Sequence, residues 1–262
     1  MTNPQDSFLS ADTNFDTRIN RLNEIISKCN KIVFLGGAGV STASGIPDFR
    51  SSNGLYNNKS PEYAKYQPEY LLSTQCFNHN PKVFYKFYRE FMDLRNFEPN
   101  ILHKKLALLE QQGKLSAIVT QNIDMLHEKA GSKNVYKIHG TINSNHCIKC
   151  GKKFDIDYIF ENKDAIPRCD CNKSNNYVKP DVVLYGDKLP QDAFTKGVQA
   201  IEKADCLIIC GTSLSVQPAA SLPNYFQGEY MIILNKMPTN LDAYADVVCH
   251  EDMFEVFEKI DI

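Results

Sequence analysis

The sequence predicts an α/β fold: a Rossmann-like doubly wound parallel sheet with a smaller inserted zinc-binding and helical lobe. Three observations carry this. Short apolar runs rich in β-branched residues alternate with stretches of helical spacing, a glycine turn follows the first of those runs, and two irregular stretches interrupt the alternation. Arg18 to Cys29 comes first, with Ile19, Leu22, Ile25, Ile26 and Cys29 on one helical stripe. Lys31 to Leu35 (KIVFL) then reads as a buried strand bounded by glycine. Further strands of the same character are predicted at Leu115 to Thr120, Val135 to Ile138, Val182 to Tyr185, Cys206 to Cys210, Met231 to Leu234 and Asp246 to Cys249. Ile101 to Gln111, Gln191 to Lys203 and Asp252 to Lys259 have helical spacing between them. The interruptions span about 56–96, rich in Tyr and Phe, and about 143–176, polar and cysteine-bearing. Both read as insertions into one domain covering 18–262, leaving a cleft between a large and a small lobe, where ligand sites tend to lie. Residues 1–17 read as a flexible N-terminal tail.

With 262 residues, 43% of them hydrophobic and 23% charged, the chain has the composition of an ordinary globular protein. A net charge of -2 provides no global field for nucleic acid or an anionic membrane surface. No apolar run reaches the roughly eighteen residues of a membrane span, and the opening residues lack the basic start and apolar run of a secretory signal, so a cytoplasmic location is expected. In that compartment the nine cysteines are not expected to form disulfides. Cys29, Cys206, Cys210 and Cys249 stand in apolar contexts and read as small buried hydrophobes.

The run from Gly36 to Arg50 (GGAGVSTASGIPDFR) joins a glycine turn to a proline-stiffened aromatic and charged segment. Glycines there let backbone N–H groups approach a pyrophosphate, and a helix starting near Val40 would aim its positive end at the same group. A dehydrogenase fingerprint needs a third glycine where Thr42 stands, and an acidic ribose-binding residue where Asn57, Asn58 and Lys59 stand. Taken alone, such a turn serves equally well as a purely structural element.

Cys147 and Cys150 form a C-x-x-C pair, followed after eighteen residues by the C-x-C pair Cys169 and Cys171. The pattern resembles the two knuckles of a zinc ribbon. Four thiolates leave no place for a metal-bound water, which makes the expected zinc structural rather than catalytic. The short second pair and Asp170 inside it leave the local geometry open. Basic and acidic residues around the cluster balance, so no nucleic-acid contact is expected. Thr120 to His127 (TQNIDMLH) and His139-Gly140 put polar groups at the carboxyl ends of two strands, the edge where open α/β sheets bind ligands. Each also has a bland use, Asn122 and Asp124 as helix caps and His139 as a turn histidine.

Six segments in order, GAGVSTASGIPDFR, TQNIDMLHEKAG, HG, the four cysteines, KPDVVLYGD and GTSLSVQPAA, resemble the sirtuin family of NAD-dependent protein-lysine deacylases in its bacterial-type form, from about Arg18 to the C-terminus. The resemblance implies a sirtuin catalytic domain over 18–262. It implies an enzyme that cleaves nicotinamide from NAD and transfers the acyl group of a modified lysine to ADP-ribose, giving free lysine and O-acyl-ADP-ribose. By the same resemblance Ala38, Gly39 and Thr42 would hold the diphosphate, while Asp48, Phe49 and Arg50 would cover the ribose and nicotinamide. Ile123 and Asp124 would take the nicotinamide amide, and Gln121 and Asn122 the ribose or an ordered water, with Asn122 counted beside the general base His139 as catalytic. Gly211, Thr212, Ser213, Asn235, Lys236 and Cys249 would serve the adenosine half. Val183, Tyr185 and Gly186 would form an edge that pairs with the peptide backbone, and Cys147, Cys150, Cys169 and Cys171 would hold one structural Zn²⁺. Relatives that remove acidic acyl groups carry a Tyr-x-x-Arg pair where this chain has Tyr88 and Phe91, so a neutral acyl group is expected, with Arg89 as a substitute cation. Met125, where many members have glycine, is expected to crowd or reshape the nicotinamide side. Acylated-lysine proteins or peptides are the implied partners. Protein mono-ADP-ribosyl transfer from the same NAD site is the alternative activity.

Overall fold

The computed structural model describes residues 9–11, 13–49, 51, 54–57 and 61–262. Among them the strands are β1 (Ile32–Gly36), β2 (Leu115–Thr120), β3 (Val135–Lys137), β4 (Gly140–Cys147), β5 (Lys153–Asp155), β6 (Val178–Val182), β7 (Cys206–Cys210), β8 (Tyr230–Leu234) and β9 (Val247–Cys249). Six of them form a sheet of order β3-β2-β1-β7-β8-β9 in which every pairing is parallel. The two central strands, IVFLG and CLIIC, are buried at every position, as strands covered on both faces must be. Helices α1 (Phe15–Lys28), α5 (Ile101–Gln111) and α9 (Met253–Glu258) cover one face around a core that includes Leu22, Phe34, Leu106 and Phe257. Helix α8 (Gln191–Glu202) and the turns Ala219–Tyr225 cover the other, around Val33, Ile201, Leu207 and Leu222. The predicted doubly wound sheet is thus present, with β2, β7, α5 and the start of α8 at their predicted residues.

Strand order reverses at β1, whose neighbours are β2 and β7, and the crevice outside their carboxyl ends is where such sheets bind ligands. The small lobe packs α2 (Pro68–Leu71), α3 (Thr74–His79), α4 (Pro81–Phe91) and α7 (Asp157–Phe160) against the antiparallel sheet β5-β4-β6. Helix α6 (Leu126–Lys129) is a single turn after β2. The second insertion reaches beyond 143–176 at both ends, from Gly140 to Val182.

Three local expectations are corrected. Helix α1 begins at Phe15, capped by Asn14, and Leu9 bridges to Val247 at the edge of β9, so the inner end of the supposed tail is built into the fold. Residues 38–44 form 3₁₀ turns rather than an α-helix. Hydroxyl and amide side chains take the carbonyls a helix would need there: Thr42 Oγ1 donates to Gly39 C=O at 2.9 Å and Asn100 Nδ2 to Val40 C=O at 2.9 Å, and Gly45 ends the turns at φ 92°. The apolar run Val182 to Tyr185 is not a strand: β6 ends at Val182, and Tyr185 pairs instead with the chain at Ser73. No helix among the described residues is long and apolar enough to cross a membrane.

Candidate functional site

Two glycine loops, one after β1 and one after β7, are stitched together at the crevice. Gly37 N–H donates to Cys210 C=O and Gly39 N–H to Gly211 C=O, both at 3.0 Å. A Cβ on Gly39 would lie 2.8 Å from Gly211 Cα, and one on Gly211, whose φ is +60°, 2.7 Å from Val40 N. Only glycine permits this crossing. The N–H groups of Gly37 and Gly39 are thus committed from loop to loop. The glycines leave a floor of bare backbone at the crevice.

The crevice opens into a cavity of about 860 Å³ that runs between the lobes, within the range of a cofactor and substrate cleft. Ala38, Gly39, Thr42, Asp48, Phe49, Gln121, Asn122, Ile123, Asp124 and His139 all line it. So do Gly211, Thr212, Ser213, Asn235 and Lys236 at the far end, and Tyr88, Phe91, Val183, Tyr185 and Gly186 on the small-lobe side. Arg50 lies outside the described residues. Cys249 is not brought to the cavity: it is buried in β9 within the core, and burial pushes its thiol up to about 11. Met125 is likewise absent from the lining. Its sulfur accepts from Lys137 Nζ and Thr141 Oγ1, which holds it to the side of the cavity.

At the buried end, Asp124 accepts from Leu126 N–H at 3.0 Å and from Ser41 Oγ at 2.8 Å. Ser41 Oγ accepts in turn from Asn122 Nδ2 at 3.0 Å, so one hydroxyl bridges the amide and the carboxylate. Desolvation holds the Asp124 carboxyl above its ordinary pKa, partly offset by those two donors. Gln121 Nε2 donates to Thr212 Oγ1 at 2.9 Å and ties the β2 end to the β7 loop. Ser41 and Asn100, the latter also capping α5, were not singled out in the sequence. The sequence signal for Asn100 was its place just before the helical run from Ile101, and Ser41 had none beyond lying in the glycine loop.

His139 stands between β3 and β4 with Nδ1 3.1 Å from Gln121 C=O. A carbonyl only accepts, so Nδ1 carries the proton and Nε2 keeps its lone pair. Burial lowers the pKa of His139 from its ordinary value, partly offset by that bond, so the ring is neutral at pH 7. These are the two properties a general base requires.

Beside it, Val183 N–H donates to His139 C=O at 2.9 Å. Tyr185 N–H donates to Leu72 C=O at 3.0 Å, and Tyr185 C=O accepts from Thr74 N–H at 2.9 Å. Asp187 pins the same segment, pairing with Lys179 at 2.9 Å and accepting from Leu184 N–H and Thr74 Oγ1. On α4, Arg89 turns away from the cavity and donates to Ile159 C=O and Asp164 C=O at 2.8 and 2.9 Å. Tyr88 keeps its hydroxyl buried without a hydrogen-bond partner among the described residues, an arrangement that costs about 1–3 kcal/mol.

The four cysteines converge, with all four sulfurs within 4.8 Å of one another. Cys147 and Cys171 are 3.7 Å apart at sulfur, Cys150 and Cys169 3.6 Å. Tetrahedral Zn–S bonds of about 2.3 Å require S···S separations of about 3.8 Å. The four sulfurs therefore fit one structural zinc ion, and Asp170, which pairs with Lys152 at 2.9 Å, also lies 3.4 Å from Cys169 Sγ.

Fold and site together define an α/β protein with a dinucleotide-sized cleft at a sheet switch point beside a partly buried histidine, with a four-thiolate lobe inserted. The Sir2 family model matches residues 37–218. The NAD-dependent protein deacetylase of Clostridium acetobutylicum is 49% identical over 243 residues, covering 93% of this chain and 98% of that protein. That of Clostridium perfringens is 48% identical, covering 94% and 99%. A Sir2 structure with a deacetylated p53 peptide and 3'-O-acetyl ADP ribose superposes with a TM-score of 0.83 at 34% identity, covering 92% of this chain and 96% of that one. A Sir2 bound to a propionylated peptide gives 0.81 at 32% identity, with the same coverage. The chain belongs to the Sir2 family of NAD-dependent protein deacetylases.

Proposed function

We propose that this NAD-dependent deacetylase removes uncharged acyl groups from lysine, with His139 as general base, Asn122 and Asp124 set by Ser41, and the peptide held along Val183 to Gly186. The observation that carries the proposal is the His139 tautomer: Nδ1 is committed to Gln121 C=O, and a neutral Nε2 is left for the substrate. NAD, when bound, supplies the ADP-ribose that accepts the acyl group as nicotinamide leaves.

The residues fit that co-substrate. Ala38, Gly39 and Thr42 would hold the diphosphate on the bare loop crossing, with Gly211, Thr212, Ser213, Asn235 and Lys236 on the adenosine side. Asp48, Phe49 and Arg50 would cover the ribose and nicotinamide. Asp124, kept as an acceptor by two donors in a dry setting, suits the NH₂ of a carboxamide, with Ile123 beside it and Gln121 and Asn122 turned to the ribose or a water. His139 takes the proton of a ribose hydroxyl on Nε2, while Gln121 C=O keeps the imidazole oriented. Both backbone groups of Tyr185 are already paired, so a peptide strand uses the remaining groups of Val183 and Gly186.

An uncharged acyl group follows from α4. Arg89 is bonded outside the cavity, Phe91 stands where an arginine would be needed, and Asp93 already pairs with Arg95 at 2.8 Å. The propionylated peptide in a relative's site is of this class. A cytoplasmic location belongs to the proposal and rests on the free thiols and the four-thiolate site, which need reducing surroundings. Balanced charge around the zinc lobe supports a peptide rather than a nucleic-acid partner. Incubating NAD with acetyl- and succinyl-lysine versions of one peptide tests the reading by mass spectrometry. Acyl loss with acetyl preferred supports it, faster succinyl removal refutes the neutral channel, and gain of ADP-ribose on the peptide without acyl loss would establish mono-ADP-ribosyl transfer instead.

A further inference from the structure

The segment proposed to cover the ribose and nicotinamide and the edge proposed to hold the peptide come from separate stretches of chain, and they meet at a pair of hydroxyls. Those of Tyr56 and Tyr185 are hydrogen-bonded at 2.8 Å. Tyr56 is tied to the cofactor-side segment by backbone and by ring. Its N–H donates to Phe49 C=O at 2.9 Å, the neighbouring Leu55 N–H donates to Asp48 C=O at 2.7 Å, and its ring lies 5.3 Å from that of Phe49, tilted by 55°. Tyr185 is fixed through its own backbone, whose N–H and C=O are taken by Leu72 and Thr74. Phe49, Tyr56 and Tyr185 all line the cleft, and Tyr185 is 37% exposed. A hydrogen bond that faces water competes with water and contributes little. A peptide strand laid along Val183 to Gly186 would cover this one, and the same bond in a drier setting is stronger.

We infer that the Tyr56–Tyr185 hydroxyl pair couples the two substrates: a peptide on the edge strengthens the hold of Tyr185 on Tyr56, which steadies the Phe49 ring over NAD. Bound NAD then tightens the peptide by the same factor, because coupling between two binding sites is reciprocal. Both tyrosines are positioning residues, acting on NAD through Phe49. The inference rests on the deacylase reading of this cleft and adds to it the link through which the peptide and NAD sites sense each other.

Isothermal titration tests this by measuring Kd for an acetyl-lysine peptide with and without a saturating, non-cleavable carbocyclic analogue of NAD. The proteins compared are the wild type, Tyr56→Phe, Tyr185→Phe and the double variant. Phenylalanine keeps both rings and every backbone bond, so Tm should stay near that of the wild type. In the wild type the analogue should tighten the peptide by about fivefold or more. In each single variant that factor should fall to about twofold or less, and the double variant should match the singles, because both changes break the same bond. A wild-type factor of about one, single variants that keep the wild-type factor, or a double variant that loses the product of the two single losses overturns the inference. A purely structural role would weaken the peptide equally with and without the analogue and leave the factor unchanged. Turnover of the same peptide with NAD itself separates the two readings. If the wild type consumes it while the factor behaves otherwise than expected, only the coupling fails, and if the peptide is not consumed the deacylase reading falls with it.

Discussion

Replacing Ser41 with Ala removes one hydroxyl and two hydrogen bonds, the 2.8 Å donation to Asp124 and the 3.0 Å acceptance from Asn122. The first involves a charged group and is worth about 1.5–3 kcal/mol, the second about 0.5–1.5, so the direct loss is about 2–4.5 kcal/mol. Some returns when Asn122 swings over to donate to Asp124 itself, but that motion carries the amide away from the cleft. Asp124 keeps its Leu126 N–H donor and α6 stays capped, so the larger part of the loss falls on the reaction rather than on the fold. A net loss of about 2 kcal/mol in the transition state corresponds to a roughly 30-fold fall in kcat/KM for NAD. Nicotinamide release during deacetylation of an acetyl-lysine peptide measures the rate, and thermal unfolding measures the fold. A kcat/KM within threefold of wild type would refute the bridge, and a Tm collapse without any change in rate per folded molecule would place Ser41 in stability alone.

His139→Ala is expected to abolish deacetylation while zinc content and Tm stay near wild type, because the ring bonds only a loop carbonyl; an active variant removes its assigned role. The base must be neutral and its pKa is depressed, so the wild-type kcat/KM should keep more than half its plateau at pH 6.5; a limb centred above 6.5 contradicts the burial argument. Gly39→Ala drives a methyl into Gly211 and should raise KM for NAD by about tenfold or more through separation of the two loops; an unchanged KM would show that the crossing is not needed. Buried His103 and His127, whose ring nitrogens have no hydrogen-bond partner among the described residues, have depressed pKa values, that of His103 about 4. Their stabilising effect is complete above the unfolded value near 6.5 and is lost as pH falls below it, by about 2 kcal/mol for His103 at pH 5 and in the same direction for His127. Urea titrations should show a shallower loss between pH 7.5 and 5 in a His103→Leu, His127→Leu variant, and equal slopes would refute the assignment.

Legibility in the sequence followed the range of the interaction. Strand β2 was readable to the residue because an apolar run stops at Lys114 and Gln121, and the zinc site because ligand spacing along the chain is itself the signal. The family motifs named most of the residues that line the cleft. Through-space bonds were not readable: Ser41 meets Asp124 across a separation of 83 positions, and nothing in GAGVSTAS distinguishes it from a turn serine. Val182 to Tyr185 reads as a strand by composition, but the bonds of Tyr185 to Leu72 and Thr74 are a property of the folded lobes. Cys249 stands beside a cofactor-side strand end in sequence and inside the core in space.

The same contacts give the zinc lobe a part in the reaction that its ligand set alone would not suggest. Strand β4 starts at Gly140, directly after His139, the proposed base, and ends at Cys147 of the four-cysteine cluster. Strand β6 pairs antiparallel with β4 and ends at Val182, directly before the peptide edge. Val183 N–H then closes back onto His139 C=O. The proposed base and the proposed peptide edge thus leave the same end of one small sheet, where Gly140 pairs with Val182, and the cysteine cluster lies at the other end, where Cys147 pairs with Val178. Stripping the metal with a strong chelator, or replacing Cys147 with Ser, should therefore lower kcat for the acetyl peptide by well over tenfold and also lower Tm. NAD affinity should fall less, because the glycine crossing belongs to β1 and β7. Isothermal titration with NAD alongside the rate assay separates the two, and a metal-free protein that keeps full turnover would show that the lobe does not position the base.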